Sequence, residues 1–98
     1  MPYEIVIDPD AMEHLHALRL YDRRRIMDAI SEQLAQTPTE ETRNRKQLEP
    51  NELAEWELRI EQFRVFYKVI QSENRVRVMA VGHKEHDRLL IGGKEHKL

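Results

Sequence analysis

Apolar residues in this chain recur every third or fourth position as far as Leu34 and every second position from Trp56 onward. That change of period constrains the fold more than any other feature, because a helix and a strand bury different spacings. Met12, Leu15 and Leu18 share one helical face, and Ile26, Ile30 and Leu34, with Met27 beside them, share another. Asp8-Pro9 supplies a capping carboxylate and a proline at the first helical position. Asp22 is the expected cap of the second helix, and Thr37-Pro38 ends it, since proline cannot continue a helix. Ahead of both helices, Tyr3–Ile7 is short and β-branched, the mark of a strand.

From Trp56 the alternation predicts three antiparallel strands. Trp56, Leu58 and Ile60 point one way; so do Phe63, Val65, Tyr67 and Val69, then Val76, Val78 and Ala80. The reversals fall at Glu61-Gln62 and at Gln71–Asn74. Arg59 then faces Arg64, Leu58 faces Val65, Lys68 faces Arg77 and Phe66 faces Met79. The fold class is α+β in the order β-α-α-β-β-β, with the helical hairpin packed on one face of a small antiparallel sheet. Residues 1–98 make a single domain. Two stretches are less regular: the polar connection Gln36–Ala54, and the tail after Gly82, which suits a short strand or a helix.

Composition removes several chemistries. There is no cysteine, hence no disulfide, thiolate nucleophile or thiolate-held zinc. No apolar run approaches the ~20 residues of a membrane span, and the N-terminus lacks the pattern of a signal peptide, so a cytoplasmic location with no membrane contact is expected. The net charge of -2 hides an asymmetry. Residues 1–41 carry four Arg against nine Asp/Glu, whereas residues 42–98 carry twelve Lys/Arg against nine Asp/Glu. An anion-binding surface therefore belongs to the second half.

The sheet face turned away from the helices is expected to show Glu57, Arg59, Arg64, Phe66, Lys68, Arg75, Arg77 and Met79. Like charges directly opposite each other are destabilising, so Arg59 beside Arg64 and Lys68 beside Arg77 anticipate an anion between them. Arginine forks hold phosphate oxygens, and Phe66 offers a surface for a stacked base. Single surface cations are commonly inert, and Glu57 is a ready partner for Arg59. His83, after the last long strand, is a candidate proton-transfer group. His83 and His86 with Asp87 gather too few ligands for a metal site. His14 and His16 read as solvated, and Arg23-Arg24-Arg25 as a solvated helix start.

W-E-L-R-I-E-Q-F-R-V-F-Y-K-V, followed by R-V-R-V-M-A-V-G-H-K and R-L-L-I-G-G, resembles the RelE/ParE superfamily of toxins from toxin–antitoxin systems. The resemblance extends over nearly the whole chain. It implies a microbial-RNase-like sheet and, for RelE-like members, metal-independent cleavage of mRNA on the ribosome, with no cofactor and with a cognate antitoxin as partner. It places Arg64, Lys84 and Arg59 at phosphate-stabilising positions. Glu57 and His83 are candidate base and acid, and Arg77, Lys68, Phe66, Arg75, Lys46 and Arg45 are candidate RNA contacts. Glu55 and Glu57 stand where well-studied relatives carry lysines, and Leu90 where many carry a tyrosine. For this chain the mRNA endoribonuclease is the expected activity, with a ParE-type inhibitor of DNA gyrase or an inactive binding module as alternatives that the resemblance also admits.

Overall fold

In the computed structural model, which describes residues 2–98, the Asp8 carboxylate accepts a hydrogen bond from the Asp10 amide at 3.2 Å and opens helix α1, Pro9–His16. Helix α2 spans Leu20–Ala29 and runs on into a π turn at Ile30–Leu34. It starts earlier than its sequence predicts, at Arg19 with no side-chain cap. Asp22 lies instead in its first turn, buried against Arg19 Nε at 3.1 Å and Arg25 Nη1 at 3.6 Å. A carboxylate there complements the helix dipole. Arg23 is not a solvated residue either. Its guanidinium donates to the carbonyls of Leu15 at 3.1 Å and of His16 and Leu18 at 3.3 Å, closing the open end of α1.

The strands are β1 (Glu4–Ile7), β2 (Arg45–Gln47), β3 (Trp56–Ile60), β4 (Phe63–Ile70), β5 (Arg75–Glu85), β6 (Arg88–Ile91) and β7 (Lys94–His96). They form one sheet in the order β2-β3-β4-β5-β6-β7, and β1 pairs with β5 in parallel. β1 lies along residues 75–78 of β5 and β6 along residues 82–85; among the described residues every pairing except β1 with β5 is antiparallel. Two elements escape the period-two reading. The connection Gln36–Ala54 contains β2, and the tail forms the hairpin β6-β7 across Gly92 and Gly93, whose φ values are 60° and 80°.

The helices cover one face of the sheet. Ala11, Leu15, Ile26, Ile30 and Leu34 pack there on Trp56, Leu58, Phe63, Val65, Tyr67, Val76, Val78 and Val81. Val81 takes the place that alternation assigns to Ala80. The cause is a bulge: Phe66 pairs with Ala80 but Tyr67 with Val78, so Met79 is an extra residue in β5. Past it, Ala80 and Gly82 face away from the helices, and Val81 and His83 face toward them. The far face is not open, because Phe66, Ala80, Leu89, Ile91 and Ala54 form a second apolar cluster beneath Leu48 and Leu53.

The aromatic pair Trp56 and Tyr67 stacks with centroids 6.2 Å apart, and the buried Tyr67 hydroxyl donates to the Pro38 carbonyl at 2.6 Å, pinning the segment that leads to β2. Burial pushes the Tyr67 pKa above its ordinary value, with Arg45 opposing. The fold therefore keeps the phenol protonated where the unfolded chain ionises. The stabilisation is complete below pH ~10 and declines as pH rises further. Tyr67→Phe is expected to lose about 1–2 kcal/mol at pH 8 by urea denaturation. Its stability is also expected to fall less steeply than that of the wild type between pH 10 and 11.5.

Candidate active site

Pairing registers place the side chains of the far face in rows. Lys46, Glu57, Phe66 and Ala80 form one across β2 to β5; Arg59, Arg64, Gly82, Ile91 and Lys94 form the next across β3 to β7. Lys84, Leu89 and His96 form a third across β5, β6 and β7. Gly82 keeps the middle row clear: a Cβ there would stand 2.8 Å from Ile91 Cγ1 and 2.6 Å from the Leu90 carbonyl oxygen. The sheet curls enough that its two ends face each other. Lys46 of β2 and His96 of β7 line the same cleft of about 320 Å³, with Glu57, Arg59, Lys84 and Asp87 between them and Leu48 and Leu89 as apolar walls.

Lys46, Arg59, Lys84 and Lys97 give the cleft four cations against the two carboxylates Glu57 and Asp87, in a chain whose net charge is -2. Glu57 is 8% exposed, and its Oε2 accepts from Arg59 Nε at 3.2 Å. Arg64 shares the face of Arg59 and stands beside the cleft lining. Its Nη1 donates to the carbonyls of Glu61 at 2.6 Å and Phe63 at 2.8 Å, and its Nε is buried with no partner among the described residues. Burial lowers its pKa; Glu57 opposes this and Arg59 adds to it. Glu61 itself has φ 54°, and its carboxylate pairs with Arg25, which fastens the turn that holds Arg64 to α2.

At the other end of this face the positive charge is already neutralised. Arg75 donates to Glu4 at 2.8 Å and Glu73 at 2.7 Å, and the Glu4 hydrogen bond raises its pKa. Arg77 meets Asp8 at 3.0 Å, so the Lys68/Arg77 pair has a carboxylate from the start of α1 beside it. The pairing of Arg59 with Arg64 stands as the sequence predicts, and the cleft is where several cations without a carboxylate partner of their own among the described residues converge.

Three predicted site residues lie elsewhere. Phe66 is fully buried in the second apolar cluster and offers no stacking surface. Arg45 is 7% exposed, with its guanidinium committed to the carbonyl of Glu40 at 3.1 Å and to Gln33 Oε1 at 3.2 Å, so it anchors β2 and not a ligand. His83 pairs with Phe63 and faces the helices, lining a separate cavity of about 430 Å³ with His14 and Glu13. It is on the opposite side of the sheet from Glu57. His14 is not solvated: its Nδ1 accepts from the Val81 amide at 3.2 Å, beside the bulge. His96, absent from the sequence reading, is the histidine that shares a cleft with Glu57. The Gly92-Gly93 pair is a hairpin signal that places it on a strand. Among the described residues no group of three or more His, Asp or Glu side chains is arranged to hold a metal ion, and no helix is long and apolar enough to cross a membrane.

Residues 5–88 match the family model described as the ParE toxin of type II toxin–antitoxin system, parDE. The fold is similar to a chain in the crystal structure of the toxin–antitoxin complex RelBE2 from Mycobacterium tuberculosis. That match has 20% identity and a TM-score of 0.75, and covers 86% of this chain and 93% of the other. It is also similar to a chain in the archaeal RelE–RelB complex from Pyrococcus horikoshii, with 18% identity and a TM-score of 0.66, covering 83% and 93% respectively. No curated protein sequence matches the chain significantly.

The two kinds of basic residue separate on substitution. Arg45→Ala removes a buried guanidinium together with its hydrogen bonds to Glu40 and Gln33 and is expected to cost about 1–3 kcal/mol in urea denaturation. Lys84→Ala is expected to change stability by less than about 1 kcal/mol.

Proposed function

The chain belongs to the ParE toxin family of type II toxin–antitoxin systems, and from that premise we propose that it is an endoribonuclease that cuts messenger RNA. The observation that carries this reading is the cleft that gathers Glu57 and His96 among Lys46, Arg59 and Lys84. Glu57 is the acceptor for the ribose 2′-hydroxyl proton. The 2′-oxygen attacks the adjacent phosphorus, and the bond from phosphorus to the 5′-oxygen of the next nucleotide breaks. His96 donates a proton to that leaving oxygen. The products are a 2′,3′-cyclic phosphate and a 5′-hydroxyl.

Arg59, Lys84 and Lys46 offset charge on the pentavalent phosphate, which is the role a metal ion fills in other nucleases. Arg64, fixed by two carbonyls at the edge of the cleft, adds positive potential to the same region. Arg59 also holds Glu57 in place through its Nε while its remaining donors stay available. The ribosome presents the mRNA, and a cognate antitoxin with acidic groups for this cleft holds the toxin inactive in the cytoplasm. Solved relatives of the same fold are found in complexes of RelE and RelB type.

The test uses purified protein, translating ribosomes and mRNA end-mapping, beside a gyrase supercoiling assay. Glu57→Gln and His96→Gln are each expected to lower cleavage by about 100-fold or more, as are Arg64→Ala and Lys84→Ala. His83→Gln is expected to cut like the wild type, and dialysis of the purified protein against EDTA before it is added to the ribosomes to leave the rate unchanged. Gyrase inhibition without any mRNA cut would replace this reading with the ParE-type alternative.

A further inference from the structure

The cleft's second carboxylate has no role in the chemistry above. Glu57 is bound to Arg59, but Asp87 takes part in none of the ion pairs among the described residues. It is exposed and lines the same cleft as Lys84 and His96. An unpaired negative charge beside a phosphate site opposes phosphate binding, so its place there calls for a different contact. The backbone turns it into position at some cost. His86 and Asp87 form the two-residue reversal between β5 and β6, and His86 adopts φ 57°, a conformation uncommon for residues other than glycine.

An ionised carboxylate is an acceptor with two oxygens side by side. It is satisfied by an edge that presents two parallel N–H donors. Of the four RNA bases only guanine has such an edge, with N1–H and the N2 amino group adjacent on its Watson–Crick side. Adenine and cytosine place an acceptor next to their amino group, and uracil sets its single N–H between two carbonyls. Bases of single-stranded RNA are read along this edge. With Phe66 buried, the one ring that lines the cleft is the His96 imidazole, which the chemistry above already uses, so a hydrogen-bonding group is left to select the base. Leu48 and Leu89 supply flat apolar walls that do not discriminate.

We propose that Asp87 is the base-reading residue of this cleft and selects a guanosine next to the scissile phosphate; the inference rests on the endoribonuclease reading. Sequence preference then resides in the β5-β6 turn, separate from the groups that move protons.

The experiment maps cleavage sites of wild type and Asp87→Asn on a pool of mRNAs with one randomised codon, on translating ribosomes and as free RNA. The wild type is expected to favour guanosine at one position beside the cut by about 10- to 100-fold. Asp87→Asn, whose amide turns a donor toward guanine, is expected to lose that preference while still cutting at other sequences. A second arm alters the substrate: inosine, which lacks the N2 amino group, in place of the preferred guanosine slows the wild type and leaves Asp87→Asn unaffected. Cleavage by the wild type with no guanosine preference, or an unchanged profile in Asp87→Asn, overturns the assignment of Asp87 alone. Absence of any cut by the wild type overturns the endoribonuclease reading and this inference together.

Discussion

Met79 adds one residue to β5 opposite the Phe66–Tyr67 step of β4, and because side chains alternate along a strand, the addition moves every later residue of β5 to the other face. Val81 and His83 thereby turn to the helices, while Ala80, Gly82 and Lys84 turn to the cleft side. With unbroken alternation His83 would stand near Glu57 and Lys84 would press against the helical hairpin. The composition of the cleft thus depends on a single backbone irregularity. The Val81 amide beside it finds its acceptor in His14 of α1, which satisfies the requirement that a buried N–H be paired.

The basic residues of the second half divide by what their donors already hold. Arg45 binds carbonyls, and Arg75 and Arg77 bind carboxylates near the N-terminal strand. These are architectural uses of a guanidinium, in which its planar fork links segments far apart in sequence. Lys46, Arg59 and Lys84 keep donors free at the point where the two ends of the sheet converge. The acidic first half and basic second half are accordingly not two separate surfaces. Glu4 and Asp8 cross over to neutralise one end of the basic face and leave the other exposed.

The periods of three to four and of two are enough to place both helices and the three long strands, because each buries a regular face over most of its length, and the β-branched run Tyr3–Ile7 places the first strand. The pairing of Arg59 with Arg64 followed from the two-residue turn at Glu61-Gln62. Alternation carries no sign of a bulge, since Met79 is as apolar as its neighbours, and so it assigns His83 to the face opposite the one it occupies. Alternation turns Phe66 toward solvent because the residues that cover it, Ala54, Leu89 and Ile91, come from segments with no clear period. Arg45 and Arg23 are indistinguishable from surface cations until the carbonyls they bind are brought near by the tertiary fold. His96 lay in a strand of three residues, too short for a pattern, although two glycines marked the turn before it.

The curl that sets β2 against β7 also orders events in time. Domains acquire structure from the N-terminal side as synthesis proceeds, so a nascent chain holds Lys46, Glu57 and Arg59 well before it holds His96. His96 arrives with the outermost strand, after Lys46, Leu48, Glu57, Arg59, Lys84, Asp87 and Leu89 have been translated. The cleft is therefore closed last from its β7 side, onto walls that β2 to β6 have already set.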